Sequence, residues 1–307
     1  MIAVPDVITD LATWGPQSTA PTPGLAEAER YCRELATTHY ENFTVVSWFL
    51  PRGLRQHMYN VYAFCRWADD LGDETGDRGR STELLAWWRG ELDRCFRGEA
   101  SHPVFVALRS TIERFGLEER PFADLISAFE QDQRITEYDT FEQLRDYCRR
   151  SADPVGRLVL KLFEQSTPEH VAWSDSICTG LQLANFWQDV DRDLSKGRIY
   201  LPREDRLRFG YGDDDLRGRR TTPAFLELMK FEVDRAREFL VAGRPLLSGV
   251  SGRRLRLDLE LFVAGGLKIL DKIESIGYRV WDRRPTVTKA AKIGLLLKSA
   301  ARALAPR

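Results

Sequence analysis

The sequence predicts an all-α protein that folds as a single domain. Apolar residues recur at intervals of three and four along most of the 307 residues, the period of a helix that buries one face. No segment shows a convincing alternation of apolar and polar residues, so strands are not expected. No linker divides the chain, and no repeat of the length typical of helical solenoids is evident.

The helical period is found in segments 24–40, 52–73, 82–97, 103–115, 121–133, 141–163, 168–194, 223–242, 251–276 and 286–303. Glycine or an X-Pro step separates them, as at Gly116, at His102-Pro103 and at Thr167-Pro168. Residues 1–23 are rich in Pro, Thr and Ala and are expected to be poorly ordered, which leaves residues 24–307 as the domain.

An acidic stripe lies on the helix predicted for residues 52–73. Because a helix turns by 100° per residue, Tyr62, Arg66, Asp69 and Asp73 fall within roughly 60° of arc. Asp is a poor helix former, so its repeated use inside a helix calls for a reason.

A second stripe of the same spacing lies on the helix predicted for residues 168–194. Gln182, Asn185, Asp189 and Asp193 fall within roughly 80° of arc. Oxygen ligands without soft ligands suit Mg²⁺, which takes one or two carboxylates, keeps water and binds substrate phosphates. The pair of stripes therefore predicts a metal-diphosphate site, and the alternative is a solvated acidic face.

The sequence does not contain the residue spacings that other known metal sites and nucleotide sites require. Leu194 and Tyr200 stand where an EF-hand loop starting at Asp189 needs Gly and Glu. The chain lacks the two Glu-x-x-His pairs of a di-iron bundle and the His-Glu-x-x-His of zinc hydrolases. It also lacks a Rossmann fingerprint and a P-loop, so diphosphate would be held by metal and side chains.

Composition narrows the class of partners and the compartment. A net charge of −1 provides no general attraction to nucleic acid. The 5 cysteines are dispersed without a Cys-x-x-Cys, which is typical of a reducing compartment, and we expect a cytoplasmic protein. From Arg283 onward the chain is basic, without an acidic residue, and contains Ile293 and Leu295 to Leu297. This end is compatible with peripheral contact to the inner face of an anionic membrane, and equally with an ordinary helix that has a solvated basic face.

The two stripes closely resemble the paired signatures of the squalene/phytoene synthase family. The first runs Tyr62-Ala-Phe-Cys-Arg66-x-x-Asp69-Asp-x-x-Asp73-Glu, and the second runs Gln182-Leu-x-Asn185-x-x-x-Asp189-Val-x-x-Asp193, followed by Lys196-Gly-Arg198-Ile-Tyr200-Leu-Pro. The resemblance covers about residues 35–285 and implies an isoprenoid-synthase helical bundle around a central cavity, acting on prenyl diphosphates.

The resemblance also implies roles for single residues. Metal ligands would be Asp69, Asp73, Asn185, Asp189 and Asp193, with Gln182 nearby. Arg66 would contact diphosphate oxygens, which suits its planar donor fork. Tyr62 and Tyr200 would line the cavity, where aromatic faces stabilise carbocations, and their alternative is a role in the core. Arg198 and Tyr200 would belong to a flexible flap over the substrate.

A third stretch with family resemblance implies further substrate contacts at Asp132, Tyr147, Val155 and Gly156. Relatives use the small Val-Gly pair where a helix bends beside the cavity. Asp132 could bind diphosphate or handle a proton, and an ordinary surface aspartate is the alternative.

Two departures from the commoner family pattern point to one branch. Asn42, before Phe43, stands where many members carry a phosphate-contacting Ser, and Gly266, after Gly265, stands where carotenoid-type relatives carry a cavity tyrosine. The two glycines could make room for water near a cation, and helix packing is the alternative reason for them. The sequence around Asn42 and Gly266 resembles that of bacterial hydroxysqualene synthases of hopanoid biosynthesis, which convert presqualene diphosphate to hydroxysqualene.

The resemblance leaves other functions open. One is a presqualene-diphosphate, dehydrosqualene or phytoene synthase, which would start from farnesyl or geranylgeranyl diphosphate. Another is a non-catalytic member that serves assembly, although such proteins usually lose one aspartate cluster and both are intact here. Other enzymes of the squalene pathway are compatible partners.

Overall fold

The structure is a computed structural model that describes residues 6–38 and 51–286. The helices in these residues are α1 Val7–Trp14, α2 Leu25–Thr38, α3 Arg52–Asp73, α4 Arg78–Arg97, α5 Pro103–Phe115, α6 Arg120–Asp132, α7 Phe141–Ser151, α8 Asp153–Leu162, α9 Pro168–Ser195, α10 Arg203–Arg208, α11 Asp213–Arg217, α12 Pro223–Ala242, α13 Pro245–Gly249 and α14 Arg253–Ser275. The expected all-α class is therefore confirmed. None of these helices is long and apolar enough to cross a lipid bilayer.

The described residues group into two compact units, where the sequence predicted one undivided domain. Unit one contains residues 6–38, 51–134 and 157–166, and unit two contains residues 135–156 and 167–286. Their limits coincide with no linker rich in Gly, Pro or Ser, which is why periodicity and composition did not indicate the division.

Unit one is built around α3, which packs against α2, α4, α5 and α6. Its core is aromatic: the rings of Trp67 and Trp88 stack with centroids 5.2 Å apart, and Phe64 packs edge-on against Phe122 at 5.0 Å. His102 caps α5 by accepting a hydrogen bond from the Val104 amide, and burial holds the pKa of its imidazole well below the usual value. These contacts fix the helix that carries the first acidic stripe.

The expectation that residues 1–23 are poorly ordered is wrong for the described part. Helix α1 begins at an Asp6 cap, and Val7 is fully buried. The Tyr31 hydroxyl donates to Asp10 at 2.7 Å and accepts from the Trp67 indole at 3.0 Å. The segment is ordered because these hydrogen bonds tie α1 to α2 and α3, which composition alone does not reveal.

Unit two is built around α9, which packs against α7, α12 and α14. Close approach requires small residues at the crossings: a Cβ on Gly180 would lie 2.9 Å from the Leu240 amide nitrogen, and one on Gly266 would lie 2.7 Å from Leu181 Cδ2. Helix packing therefore accounts for Gly266. Nothing lies within 4 Å of the Cβ position of Gly265.

The chain starts and ends its helices largely where local signals predict. Thr167 caps α9 ahead of Pro168, and Thr140 forms a capping box with Gln143 at the start of α7. The single helix predicted for 141–163 is wrong, since α7 ends at Ser151 and α8 begins at Asp153. The reason is Pro154, which lacks an amide hydrogen and whose ring is incompatible with a continuous helix.

Candidate functional site

The second acidic stripe lies on α9, and the helix is broken inside it. Asp189 has φ −110° and ψ 17°, outside the helical region, so the even spacing expected from helical geometry stops there. Asn185 is exposed, while Gln182 and Asp193 are half-buried. The structure thus carries the stripe on one kinked helix of unit two.

Asp189 is held by an arginine that the sequence did not indicate. Arg284 Nε donates to Asp189 Oδ1 at 2.5 Å, and Arg284 Nη2 donates to Oδ2 at 3.0 Å. The hydrogen bonds with Asp189 raise the pKa of Arg284, so the guanidinium stays charged. Arg192 Nε lies farther from Oδ1, at 3.8 Å. Both oxygens of this predicted metal ligand thus face a cation.

A narrow pocket opens beside the stripe within unit two. Asp193, Arg198, Tyr200 and Trp281 contribute to its lining, together with Phe186. One predicted metal ligand and two predicted flap residues therefore border the same space. The lining combines an acidic and a basic group with aromatic rings.

Two residues of the pocket lining, Phe186 and Tyr200, belong to an aromatic cluster in unit two. The rings of Phe186 and Tyr200 stack with centroids 3.8 Å apart. Tyr147 lies 6.1 Å from Phe186 and 6.0 Å from Tyr200, and Tyr138 lies 5.9 Å from Tyr200. The structure thus brings Tyr200, predicted to line the cavity, together with Tyr147, predicted to contact substrate, and adds the rings of Phe186 and Tyr138.

The segment expected to form a flexible flap is tied to residues 135–141. The Ile199 amide donates to the Thr136 carbonyl at 2.7 Å, and the Arg203 amide donates to the Tyr138 carbonyl at 2.9 Å. An isolated bridge pairs Glu137 with Ile199. These bonds place Tyr200 against Tyr138, so this part of the chain forms a backing for the predicted flap.

The first stripe lies on α3 in unit one, and its arginine has a partner on the same helix. Arg66 Nε donates to Asp70 Oδ2 at 2.9 Å, and Arg66 Nη2 lies 2.5 Å from Asp70 Oδ1. Burial lowers the pKa of Arg66, but the carboxylates of Asp70 and Asp69 outweigh that effect and raise it. The Asp70 side chain is 5% exposed and that of Asp69 is 50% exposed. Asp70 therefore orients Arg66, while Asp69 remains accessible.

Other predicted residues of unit one lie near the first stripe or in the core. Asp73 is half-buried, and Tyr62 packs partly buried against the hydrophobic core. Asp132 is buried, so the alternative of an ordinary surface aspartate is wrong. Its neighbour Gln133 donates to the Gly72 carbonyl at 3.1 Å, which joins the end of α6 to the stripe.

The Val-Gly pair opens α8 beside α9. Val155 is exposed, whereas a Cβ on Gly156 would overlap Ser174 Oγ and lie 2.6 Å from Cys178 Sγ. Gly156 therefore serves close helix packing in unit two, and its predicted contact with substrate stays a prediction. Asn42 and Phe43 lie outside the described residues.

The residues present fit a divalent cation bound in part by a ligand. No group of three or more His, Cys, Asp or Glu side chains gathers at metal-binding distance within residues 6–38 and 51–286. Mg²⁺ usually takes only one or two protein carboxylates, however, and substrate phosphates and water complete its shell. The guanidinium of Arg284 shows that the Asp189 carboxylate accepts a cation there.

Buried thiols near the two stripes do not compete for this role. Burial raises the pKa of Cys65, next to Arg66, to about 12, and burial likewise raises the pKa of Cys178 on α9 to about 12. A thiol binds metals as the thiolate, so both remain neutral packing groups at neutral pH.

Comparisons with known proteins agree with these features. Residues 25–291 match the family model described as squalene/phytoene synthase. The chain belongs to the squalene/phytoene synthase family. The family resemblance of the two stripes and the isoprenoid-synthase type of helical fold are thereby confirmed.

Individual members of the squalene/phytoene synthase family are similar over most of the chain. A phytoene synthase of Arthrospira platensis is 31% identical, over 85% of this chain and 89% of its own length. A hydroxysqualene synthase of Rhodopseudomonas palustris is 34% identical, over 76% of this chain and 80% of its own. The crystal structure of squalene synthase HpnC from Alicyclobacillus acidocaldarius is 50% identical with a TM-score of 0.79, and the match covers 83% of this chain and 95% of that one.

Sequence reasoning missed three contacts at the predicted site. Arg284 was considered only as part of a basic terminus, and its pairing with Asp189 spans 95 positions, so local spacing carries no signal of it. Asp70 was visible in the stripe, and its spacing of four from Arg66 is a known helical pairing that could have identified it. Phe186 follows Asn185 directly, but only the folded chain shows its stacking on Tyr200.

Proposed function

We propose that the protein converts presqualene diphosphate and water to hydroxysqualene and diphosphate, as a step of squalene and hopanoid biosynthesis. The observation that carries the proposal is the 34% identity, over 76% of this chain, to a protein named hydroxysqualene synthase. The 50% identity to the structure named squalene synthase HpnC, well above the 31% identity to a phytoene synthase, supports a squalene-type member of the family. We also propose that the reaction takes place in the cytoplasm, with peripheral membrane contact through the basic end of the chain from Arg283 onward, of which residues 287–307 lie outside the described residues.

The proposed metal ligands are the aspartates of the two stripes together with Asn185. Bound Mg²⁺ would neutralise the diphosphate and help it leave as an anion. Arg66, oriented by Asp70, is suited to donate two parallel hydrogen bonds to diphosphate oxygens. We expect no requirement for NADPH.

The carbocation left behind needs an apolar aromatic environment and a controlled approach of water. The stacked rings of Phe186 and Tyr200, with Tyr147 beside them, present aromatic faces in unit two. Such faces stabilise a cation through the ring quadrupole without donating a nucleophile. Water then adds to the cation, its second proton leaves to solvent, and hydroxysqualene forms.

The alternative is head-to-head coupling of farnesyl or geranylgeranyl diphosphate. It is favoured by one observation, the 31% identity to a phytoene synthase over 85% of this chain. It differs from the main proposal in its substrate, so the two are separable by direct assay.

The test is incubation of purified protein with Mg²⁺ and, in separate reactions, with presqualene diphosphate, farnesyl diphosphate and geranylgeranyl diphosphate. Products are identified by gas chromatography and mass spectrometry, with Asp189→Asn as the matched control. We expect hydroxysqualene from presqualene diphosphate and no consumption of the other two substrates. Formation of presqualene diphosphate, a C30 polyene or phytoene from them would establish the alternative instead.

A further inference from the structure

Asp189, a predicted metal ligand, already binds a cationic side chain, the guanidinium of Arg284. The two hydrogen bonds of 2.5 and 3.0 Å engage both carboxylate oxygens in a bidentate pair. This arrangement is among the stronger polar contacts in proteins. The Asp189 side chain is 14% exposed, so solvent screens the pair less than it would a surface pair.

The segment that carries Arg284 is anchored on both sides of it. The side-chain amide of Gln188 donates to the Pro285 carbonyl at 2.6 Å, and both residues are chain neighbours of the Asp189–Arg284 pair. On the other side, the Trp281 indole donates to the Tyr211 hydroxyl at 3.1 Å, and the Thr221 hydroxyl donates to Asp282 at 3.2 Å. Arg284 is itself exposed, but the backbone on both sides of it is anchored, and this holds its side chain at Asp189.

Other arginines near this part of α9 do not have the same relation to the stripe. Arg192 reaches Asp189 only at 3.8 Å, and its side chain is 65% exposed. Arg219 pairs with Asp191 at 2.5 Å and also donates to Ser195, but Asp191 is not a predicted ligand. Arg284 is thus singled out among these three arginines by its fork on both oxygens of the kinked aspartate.

We propose that Arg284 is a built-in counter-cation of Asp189 that a divalent ion has to displace, so that Arg284 limits the metal affinity of the substrate-free protein. The proposal rests on the metal role of Asp189 given under the proposed function. A metal needs at least one oxygen of Asp189, and each oxygen already accepts a hydrogen bond from Arg284, so the ion competes with the guanidinium for lone pairs and is repelled by its charge. Loss of the guanidinium therefore strengthens metal binding.

The test measures Mn²⁺ binding without substrate, by the electron paramagnetic resonance signal of the free ion. Arg284→Gln removes the charge, and Arg284→Lys keeps the charge but loses the fork. Arg219→Gln is the matched control, because it removes the same charge beside α9 from an aspartate two residues away. We expect Arg284→Gln to bind Mn²⁺ roughly two- to tenfold tighter than the wild type, Arg284→Lys to lie between them, and Arg219→Gln to differ by less than about twofold.

Asp189→Asn distinguishes failure of this proposal from failure of the metal role. Suppose that Asp189→Asn abolishes Mn²⁺ binding, so that the metal role of Asp189 holds. The proposal for Arg284 is then overturned if Arg284→Gln binds Mn²⁺ no more tightly than the wild type, or if Arg219→Gln gains as much affinity as Arg284→Gln. If Asp189→Asn binds Mn²⁺ as the wild type does, the metal role of Asp189 fails and the proposal fails with it. Circular dichroism shows that each variant is folded, and Arg284→Lys carries the comparison if Arg284→Gln is not.

Discussion

The ring of Tyr200 lies flat on that of Phe186, with centroids 3.8 Å apart and planes inclined by 12°. Phe186 comes from α9, one residue after a predicted metal ligand, and Tyr200 comes from the segment that follows the same helix. Tyr138 also stacks on Tyr200, with centroids 5.9 Å apart and planes inclined by 22°. The stack therefore adds an aromatic contact between the second stripe and the predicted flap, beside the hydrogen bond from the Arg198 backbone amide to the Asp193 carbonyl at 2.8 Å.

Replacing Phe186 by Leu tests whether this stack takes part in the reaction. The substitution keeps an apolar side chain but removes a ring face, so we expect a lower turnover number with a smaller change in KM. A cation-π contribution of about 0.5–2 kcal/mol corresponds to a loss of roughly two- to thirtyfold. Steady-state kinetics with presqualene diphosphate measure the effect.

Two controls accompany this variant. Phe186→Tyr keeps the aromatic face and should retain most of the activity. Phe209→Leu makes the same exchange in a different aromatic pair of unit two, with Phe231 at 5.3 Å, and should leave turnover nearly unchanged. Full turnover in Phe186→Leu would show that the ring serves packing only.

Asp70 is expected to act through Arg66. Asp70→Asn keeps the size of the side chain but removes the charge that orients the guanidinium, so Arg66 loses its bidentate partner. We expect kcat/KM to fall by about tenfold, equivalent to about 1.4 kcal/mol, with the larger part in KM for the diphosphate substrate.

The matched control for Asp70→Asn is Asp191→Asn. Asp191 also holds an arginine, Arg219, but that pair is not predicted to touch substrate. Asp191→Asn should leave KM unchanged. An unchanged KM in Asp70→Asn as well would show that the pairing with Arg66 serves the stability of α3 and not the binding of diphosphate.

Local chemistry explains which parts of the fold were predictable. The predicted helix 168–194 corresponds to α9 Pro168–Ser195, because a Thr cap and a Pro in the first turn act within a few residues. The break at Asp189 was not predictable, since its conformation accompanies a pairing with Arg284 from the far end of unit two. The same is true of α1, whose order depends on Tyr31 and Trp67.

The residues of the candidate site were likewise only partly predictable from the sequence. Asp189 and Asp193 could be predicted from sequence because spacing and side-chain chemistry are both local. The partners that orient the site depend on burial: Asp69 and Asp70 can both reach Arg66, but only Asp70 is withdrawn from solvent. A periodicity argument places both carboxylates on one helix and does not decide which of them stays accessible.

Alanine substitutions at Gly156 and at Gly265 distinguish the effect of close packing on stability from the effect of helix propensity. A methyl group at Gly156 would overlap Ser174 Oγ and Cys178 Sγ, so Gly156→Ala should destabilise the protein by about 1–3 kcal/mol. Nothing lies within 4 Å of the Cβ position of Gly265, so Gly265→Ala should stabilise α14 by about 0.5–1 kcal/mol. Thermal unfolding midpoints should move in opposite directions. A lower midpoint for both variants would contradict the open space at Gly265.

Asp258 on α14 should make stability depend on pH. Its side chain is 3% exposed, neither carboxylate oxygen has a hydrogen-bond partner within the described part of the chain, and burial raises its pKa from 3.8 to about 7. Between these two values the folded protein keeps a proton that the unfolded chain has released. Stability therefore falls as the pH rises from about 4 to about 7 and is level above that, with a total loss on the order of 1–4 kcal/mol.

Asp258→Asn removes this ionisable group, so its effect on stability should change with pH. We expect a higher thermal midpoint than that of the wild type at pH values above about 7 and little difference near pH 4. Asp205→Asn provides the contrast, because Asp205 is equally buried but accepts hydrogen bonds of 2.8 and 3.2 Å from Arg235. Removing that charge should lower the midpoint at neutral pH, since it takes from the Arg235 guanidinium one of its two carboxylate partners, the other being Glu232. An Asp258→Asn protein that is less stable than the wild type at high pH would show that the carboxylate has a stabilising partner in solution.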